Sequence, residues 1–194
     1  HAWWSSSCVA VRRTAWASAS DSAWKSTSCQ RVSVPPQSKM TPSIATRVSR
    51  KDVALYRSHR PGAKPGEILG AIATDTLLRQ PLTGFADSRM DAPAPTFVYE
   101  FAWRSPHAGM GAAHGMELGF VFDTLDSPDS LAMGGPDGPQ ALADAMHAAW
   151  VSFVKTGNPG WAPWSQGRGT EVFDADGSRL VYNLRADELA ALPE

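Results

Sequence analysis

The stretch Gly111-Ala112-Ala113-His114-Gly115-Met116-Glu117-Leu118 sets one imidazole among small residues, shortly after the alternating run Thr96-Phe97-Val98-Tyr99-Glu100-Phe101. Histidine is the side chain that changes charge nearest neutral pH, which makes it the usual general base. In open α/β sheets, loops beyond the carboxyl ends of strands present such groups to ligands. His114 is therefore the candidate general base, and its bland competitor is a structural histidine satisfied by its neighbours. A zinc site built on His114 and Glu117 would need a third ligand and a His-Glu-x-x-His pattern; that pattern is absent, so no metal ligand is assigned. His107 reads as a solvated loop residue, and His147 as a surface residue on the polar flank of a helix.

The elements that would position this loop are legible in outline. Pro65-Gly66-Glu67 opens a helix whose apolar positions Ile68, Leu69, Ile72, Leu77 and Leu78 keep approximate helical spacing, and Pro81 is expected to end it. A second short helix is expected over 82–90. Residues 96–102, rich in aromatics and β-formers and preceded by Pro95, predict a strand. The Gly/Pro-rich loop 134–138 feeds a long helix, with Asp137 or Gly138 as cap and Pro139 in the first turn. Leu142, Met146, Trp150, Phe153 and Val154 line one face of that helix, and Gly157 stops it. Trp161 and Trp164 with Pro159 and Pro163 predict a packed loop. Residues 170–174 and 180–182 predict a hairpin about Asp176-Gly177-Ser178, and 185–192 a frayed terminal helix.

From about Tyr56 onward the chain resembles the C-terminal third of type-B carboxylesterases, the cholinesterase and para-nitrobenzyl-esterase branch of the α/β-hydrolases. The residues carrying the resemblance are Val98-Tyr99-Glu100-Phe101, Trp103, Ser105-Pro106, the Gly111 to Leu118 stretch and Phe120-Val121-Phe122. Then come Met146, Trp150-Val151-Ser152-Phe153, Thr156-Gly157-Asn158-Pro159, Trp164 and Val172-Phe173-Asp174. Each is weak alone; their order is specific. Gly119 stands where the family usually has proline, and is expected to loosen the turn after the histidine loop.

The resemblance implies an α/β fold, a C-terminal fragment of an α/β-hydrolase with the N-terminal sheet strands and nucleophile elbow missing. It implies that His114 is the imidazole of a Ser-His-acid triad, taking a serine proton and later delivering it to the leaving alcohol. Glu117 matches a family glutamate that supports the site from behind rather than serving as triad acid; otherwise it would be a solvated loop charge. The intact parent would act on small-molecule carboxylic esters through an acyl-enzyme, with no cofactor. Triad residues in this fold run serine, acid, histidine, so a C-terminal piece keeps only the last. The 194 residues contain no Gly-x-Ser-x-Gly and no His-Gly-Gly run. Neither nucleophile nor acid is identifiable: the resemblance implies an acid near position 25, to within about ten residues, and Asp21 in Ser20-Asp21-Ser22, the one acidic residue before Asp52, does not match. With the strands before it absent, strand 96–102 is expected to expose unpaired amides and carbonyls.

Residues 1–50 and 51–194 divide the chain. The first fifty lack Leu, Phe and Gly, and carry seven Lys/Arg against Asp21, a net +6; the remainder carries −7. Basic residues with tryptophan suggest nucleic-acid or membrane contact, but the charges are scattered and no periodic apolar face supports either. We expect instead an aberrant, disordered arm, an out-of-frame translation of the region that should encode the triad acid. The start at His1 rather than Met fits a fragment. Cys8 and Cys29, both in the arm, read as incidental thiols. No apolar run reaches transmembrane length and no secretory signal is recognisable, so no compartment is assigned. The rival function class is a non-catalytic esterase-like interaction module, disfavoured because the His114 loop is intact.

Overall fold

The computed structural model describes residues 6–11 and 48–193. Asp21 and Cys29 lie outside the described residues. Among these residues one sheet runs in the order β1 (Ser6–Val11), β2 (Thr96–Phe101), β3 (Gly169–Asp174), β4 (Gly177–Tyr182). Every residue of β2 is buried, as expected of an α/β strand covered on both faces. Parallel β3 aligns Val98 with Thr170 and Phe101 with Phe173, while β1 pairs antiparallel on the other side, Ser6 opposite Phe101. This corrects the expectation of a bare strand: β2 has a partner on each side, and the outer edges belong to β1 and β4. The β3–β4 hairpin forms as expected, with its tight turn at Ala175-Asp176, one position earlier, and Asp174 opposite Gly177.

Helix α1 (Arg50–Ser58), which sequence patterning did not announce, starts on a reciprocal cap. Ser49 N–H donates to Asp52 Oδ2 at 2.7 Å, and Asp52 N–H to Ser49 Oγ at 3.3 Å. Helix α2 (Pro65–Thr74) passes through a π turn, Asp75–Arg79, into α3 (Gln80–Asp87) without a break. Pro81 therefore does not end the helix. The π turn lets Gln80 N–H reach Asp75 O, and Pro81, with no N–H to offer, sits in the first turn of the next segment.

The strand β2 leads through a loop to α4 (Glu117–Val121) and α5 (Pro128–Gly134), and then α6 (Gln140–Thr156). Pro139, extended at ψ 115°, is the cap residue of α6 in place of Asp137 or Gly138. Gly157 at φ 76° ends the helix as expected, in a left-handed conformation where a side chain would be strained. Leu142 and Met146 are buried and Trp150 packs against the core, but Val154 is 81% exposed, because the helix runs past the edge of what it covers. The core between α6, α4 and the sheet is aromatic: Tyr99 meets Trp150 edge-on at 4.7 Å, and Phe101 meets Phe120 at 5.0 Å. Trp164 is buried and donates Nε1–H to Asp87 Oδ1 at 2.9 Å, so the proline-bordered loop is packed as expected.

The terminal helix α7 (Ala186–Ala191) is not frayed. Leu192 joins Tyr56, Ile68 and Ile72 in a second core cluster, and Glu188 is 1% exposed against Arg60.

Candidate active site

The chain leaving β2 is pinned before it reaches the histidine. Ser105 N–H donates to Gly111 O at 3.2 Å, closing the loop on itself. The buried Ser105 hydroxyl donates to Gly134 O at 2.6 Å and accepts from His107 N–H at 2.9 Å. Ala112 and Ala113 then lie buried, small enough to let the backbone rest on the core, and Met116 is buried after them. Between these anchors His114 occupies a turn and is exposed. Gly115 follows at φ 85°, a conformation that lets the backbone reverse into α4 and that a side chain would resist.

The short helix α4 is held from two sides. His147 of α6 places Nδ1 2.9 Å from Val121 O, so the ring donates there to the last carbonyl of α4. His147 is thus more than the surface residue expected: it joins two elements. Gly119 lies buried inside α4 and its carbonyl accepts from Thr124 N–H at 2.8 Å. A Cβ at this position would sit 2.5 Å from Ser130 Oγ, so the space around Gly119 is closed by α5. His107 is exposed in the loop as expected, with its ring against Gly135.

Glu117 is 3% exposed, which excludes a solvated loop charge. Its Oε2 is buried with no hydrogen-bond partner among the described residues. Buried polar atoms are paired in the great majority of native structures, so this oxygen marks an incomplete environment. His114 and Glu117 are brought together at the entrance of one helix; no serine or triad acid is assigned beside them.

Below this loop lies an ionic cluster that sequence reasoning missed. Glu100, in mid-β2, receives Arg185 through Nη1 at 2.5 Å and Nη2 at 2.8 Å, and Arg79 Nε at 3.0 Å. Arg79 also pairs with Asp75, which accepts from the Tyr56 hydroxyl at 2.7 Å. Glu188 is held by Arg60, with Nη2 at 2.9 Å, and by His59 Nδ1 at 3.0 Å. Burial alone would raise the Glu100 carboxyl, but the charges and hydrogen bonds of Arg185 and Arg79 outweigh it and hold the group below its ordinary value. Glu188 is likewise lowered: burial opposes, and Arg60 and His59 win. Burial and the Asp75 carboxylate push the Tyr56 phenol well up, so it remains a donor. Two signals could have found this cluster: Asp75 and Arg79 at i,i+4, and a glutamate inside an otherwise apolar, fully buried strand.

A cavity of about 520 Å³ opens beside the cluster, lined by Arg60, Arg79, Arg104 and Arg185 and reaching Ala112 of the histidine loop. Among the described residues no group of three or more His, Cys, Asp or Glu could hold a metal ion, and no helix is long and apolar enough to cross a membrane.

Residues 13–174 match the carboxylesterase family model, a span that starts inside the compositionally distinct arm. The para-nitrobenzyl esterase of Bacillus subtilis (strain 168) is 34% identical over 88 residues, covering 44% of this chain and 18% of that protein. The phenmedipham hydrolase of Pseudarthrobacter oxydans is 30% identical over 115 residues, 55% of this chain and 22% of the relative. A solved para-nitrobenzyl esterase superimposes with a TM-score of 0.59 at 23% identity, over 85% of this chain and 35% of that one. The fold is that of a partial α/β-hydrolase, and the chain spans about a fifth of the length of these two curated relatives.

Proposed function

The chain belongs to the carboxylesterase family, and from that premise we propose that it is the histidine-bearing portion of an enzyme that hydrolyses carboxylic esters. His114 takes the proton from a serine hydroxyl as its oxygen attacks the ester carbonyl carbon, and gives it to the departing alcohol oxygen. In the second half it takes a proton from water, whose oxygen attacks the acyl-enzyme carbonyl, and returns it to the serine. The serine, the triad acid and the oxyanion-hole amides are supplied by a part of the parent that these 194 residues do not contain. Glu117 holds the entrance of α4 from inside and takes no part in proton transfer.

The single observation carrying this reading is the family match running through an intact Gly111 to Leu118 motif, whose imidazole stands exposed on a pinned loop after β2. Without a nucleophile the chain alone is essentially inactive, since loss of the serine costs on the order of 10⁶ in kcat in serine hydrolases of known mechanism. The isolated chain is expected to hydrolyse para-nitrophenyl acetate no faster than its His114→Ala control. A serine-dependent burst would overturn that. The nucleotides 5′ to this coding region separate an enzyme from a non-catalytic module: an in-frame Gly-x-Ser-x-Gly supports the enzyme, and its absence removes it.

A further inference from the structure

We propose that the cavity at the carboxyl end of β2 is a binding site for a small oxyanion, a carboxylate or phosphate group held in guanidinium forks; this does not rest on the role given to His114. The cavity, about 520 Å³, is lined by Arg60, Arg79, Arg104 and Arg185 against Glu67 and Glu100. That volume suits a small molecule. Asp75 pairs with Arg79 and Glu188 with Arg60, so what distinguishes the lining is not bulk positive potential but a surplus of N–H donors.

A guanidinium carries five N–H groups and accepts nothing. Arg79 spends Nε on Glu100 and Nη1 on Asp75, and its Nη2 donates to none of the described residues although the side chain is only 9% exposed. Nη2 is not sealed off, so the cavity that the side chain lines is where it opens. Arg185 spends Nη1 and Nη2 on Glu100, which leaves its Nε. The acceptors in the lining are already taken: both oxygens of Glu100 receive arginine, and Glu67 Oε2 accepts from Lys64 N–H at 2.8 Å. An unmatched donor on a nine-tenths-buried side chain calls for an acceptor, and guanidinium forks match carboxylate and phosphate oxygens two at a time.

Both arginines are aimed by irregular backbone. Arg79 closes the π turn Asp75–Arg79, and Arg185 holds φ 55° and ψ 30°, a left-handed conformation uncommon for a residue with a side chain. Such conformations persist where the surroundings enforce them, and they gather at ligand sites. The position agrees: Ala102 and Arg104 directly follow β2, at the end where open α/β sheets receive ligands.

The test is isothermal titration calorimetry of the 194-residue chain with sodium succinate and, separately, inorganic phosphate, in about 0.15 M sodium chloride to screen unspecific charge. Saturable binding of either, with a Kd of about 1 mM or tighter, is expected, and the anion that binds identifies the group. Arg79→Lys keeps the charge and removes the fork, and is expected to weaken binding at least about tenfold; Arg104→Gln is expected to do the same. The second variant, at an exposed position, carries the test if the first loses its far-UV circular dichroism. Lys155→Gln, exposed on α6 and outside the lining, is expected to bind as wild type does. Heat no greater than that of added sodium chloride, up to about 10 mM of both anions, overturns the proposal. So does wild-type affinity in either arginine variant that stays folded, and so does an equal loss in Lys155→Gln, since the anions would then be answering surface charge.

Discussion

The cluster around Glu100 and the turn around His114 are built from the same kinds of side chain and end in opposite states. In the first, both oxygens of Asp75, Glu100 and Glu188 accept hydrogen bonds from arginine, tyrosine or histidine. In the second, a glutamate oxygen is buried without a partner and the imidazole faces solvent. A closed set of charges ties elements together, here α1, the π turn, β2 and α7. At the second, one position is unfinished: the donor that Glu117 Oε2 lacks is what a reacting site would receive from elsewhere. Perturbed ionisable groups are therefore a poor guide to chemistry in this chain: the strongest shifts belong to the closed set.

The comparison breaks most visibly at Glu100. Glu100→Ala leaves Arg79 and Arg185 buried without their shared carboxylate, and is expected to cost about 3–5 kcal/mol in urea unfolding. Tyr56→Phe removes one donor from Asp75, and the expected loss is about 1.5–3 kcal/mol by the same measurement. Acid should attack the closed set next. Glu100 and Glu188 have folded values held below the ordinary carboxylate range, so their contribution is present above the unfolded value of about 4.3 and is lost as pH falls through the folded ones. Melting temperature is expected to stay level from pH 7 to 5, then fall below about pH 4, and to fall less steeply in Glu100→Ala. At the open site the effects shrink or reverse. Glu117→Gln replaces a carboxyl group whose Oε2 is buried without a partner by a neutral amide, and is expected to leave the chain unchanged or up to about 1 kcal/mol more stable. His114→Ala, at an exposed position, is expected to shift stability by less than about 0.5 kcal/mol. A large loss at either would mean that this turn, too, is structural.

Much of the architecture could be read before any coordinates. Local signals did this work: the β-forming aromatics of β2, the apolar spacing of α6, the glycine at 157. Errors arose where a local rule met a neighbour it could not see. Pro81 breaks an ideal α-helix, but a π turn ahead of it absorbs the missing donor. Val154 continues an apolar spacing beyond the reach of the sheet. Helix α7 looked frayed because Glu188 reads as a solvent charge until Arg60, far away in sequence, is placed against it. The arm also resisted reading: its composition suggested an out-of-frame origin, and translation of the other two frames tests that directly.

The sequence by itself determined the kind of site: an imidazole among small residues, in a motif order shared with carboxylesterases, with no serine elbow to serve it. These are properties of residue type and spacing, which covalent order carries intact. Tertiary structure decided which charges are spent on holding the fold and which are left open. Pairing Glu100 with Arg185, or leaving Glu117 Oε2 alone, depends on what burial brings within a hydrogen bond's length, and that distance is set by packing rather than by position along the chain.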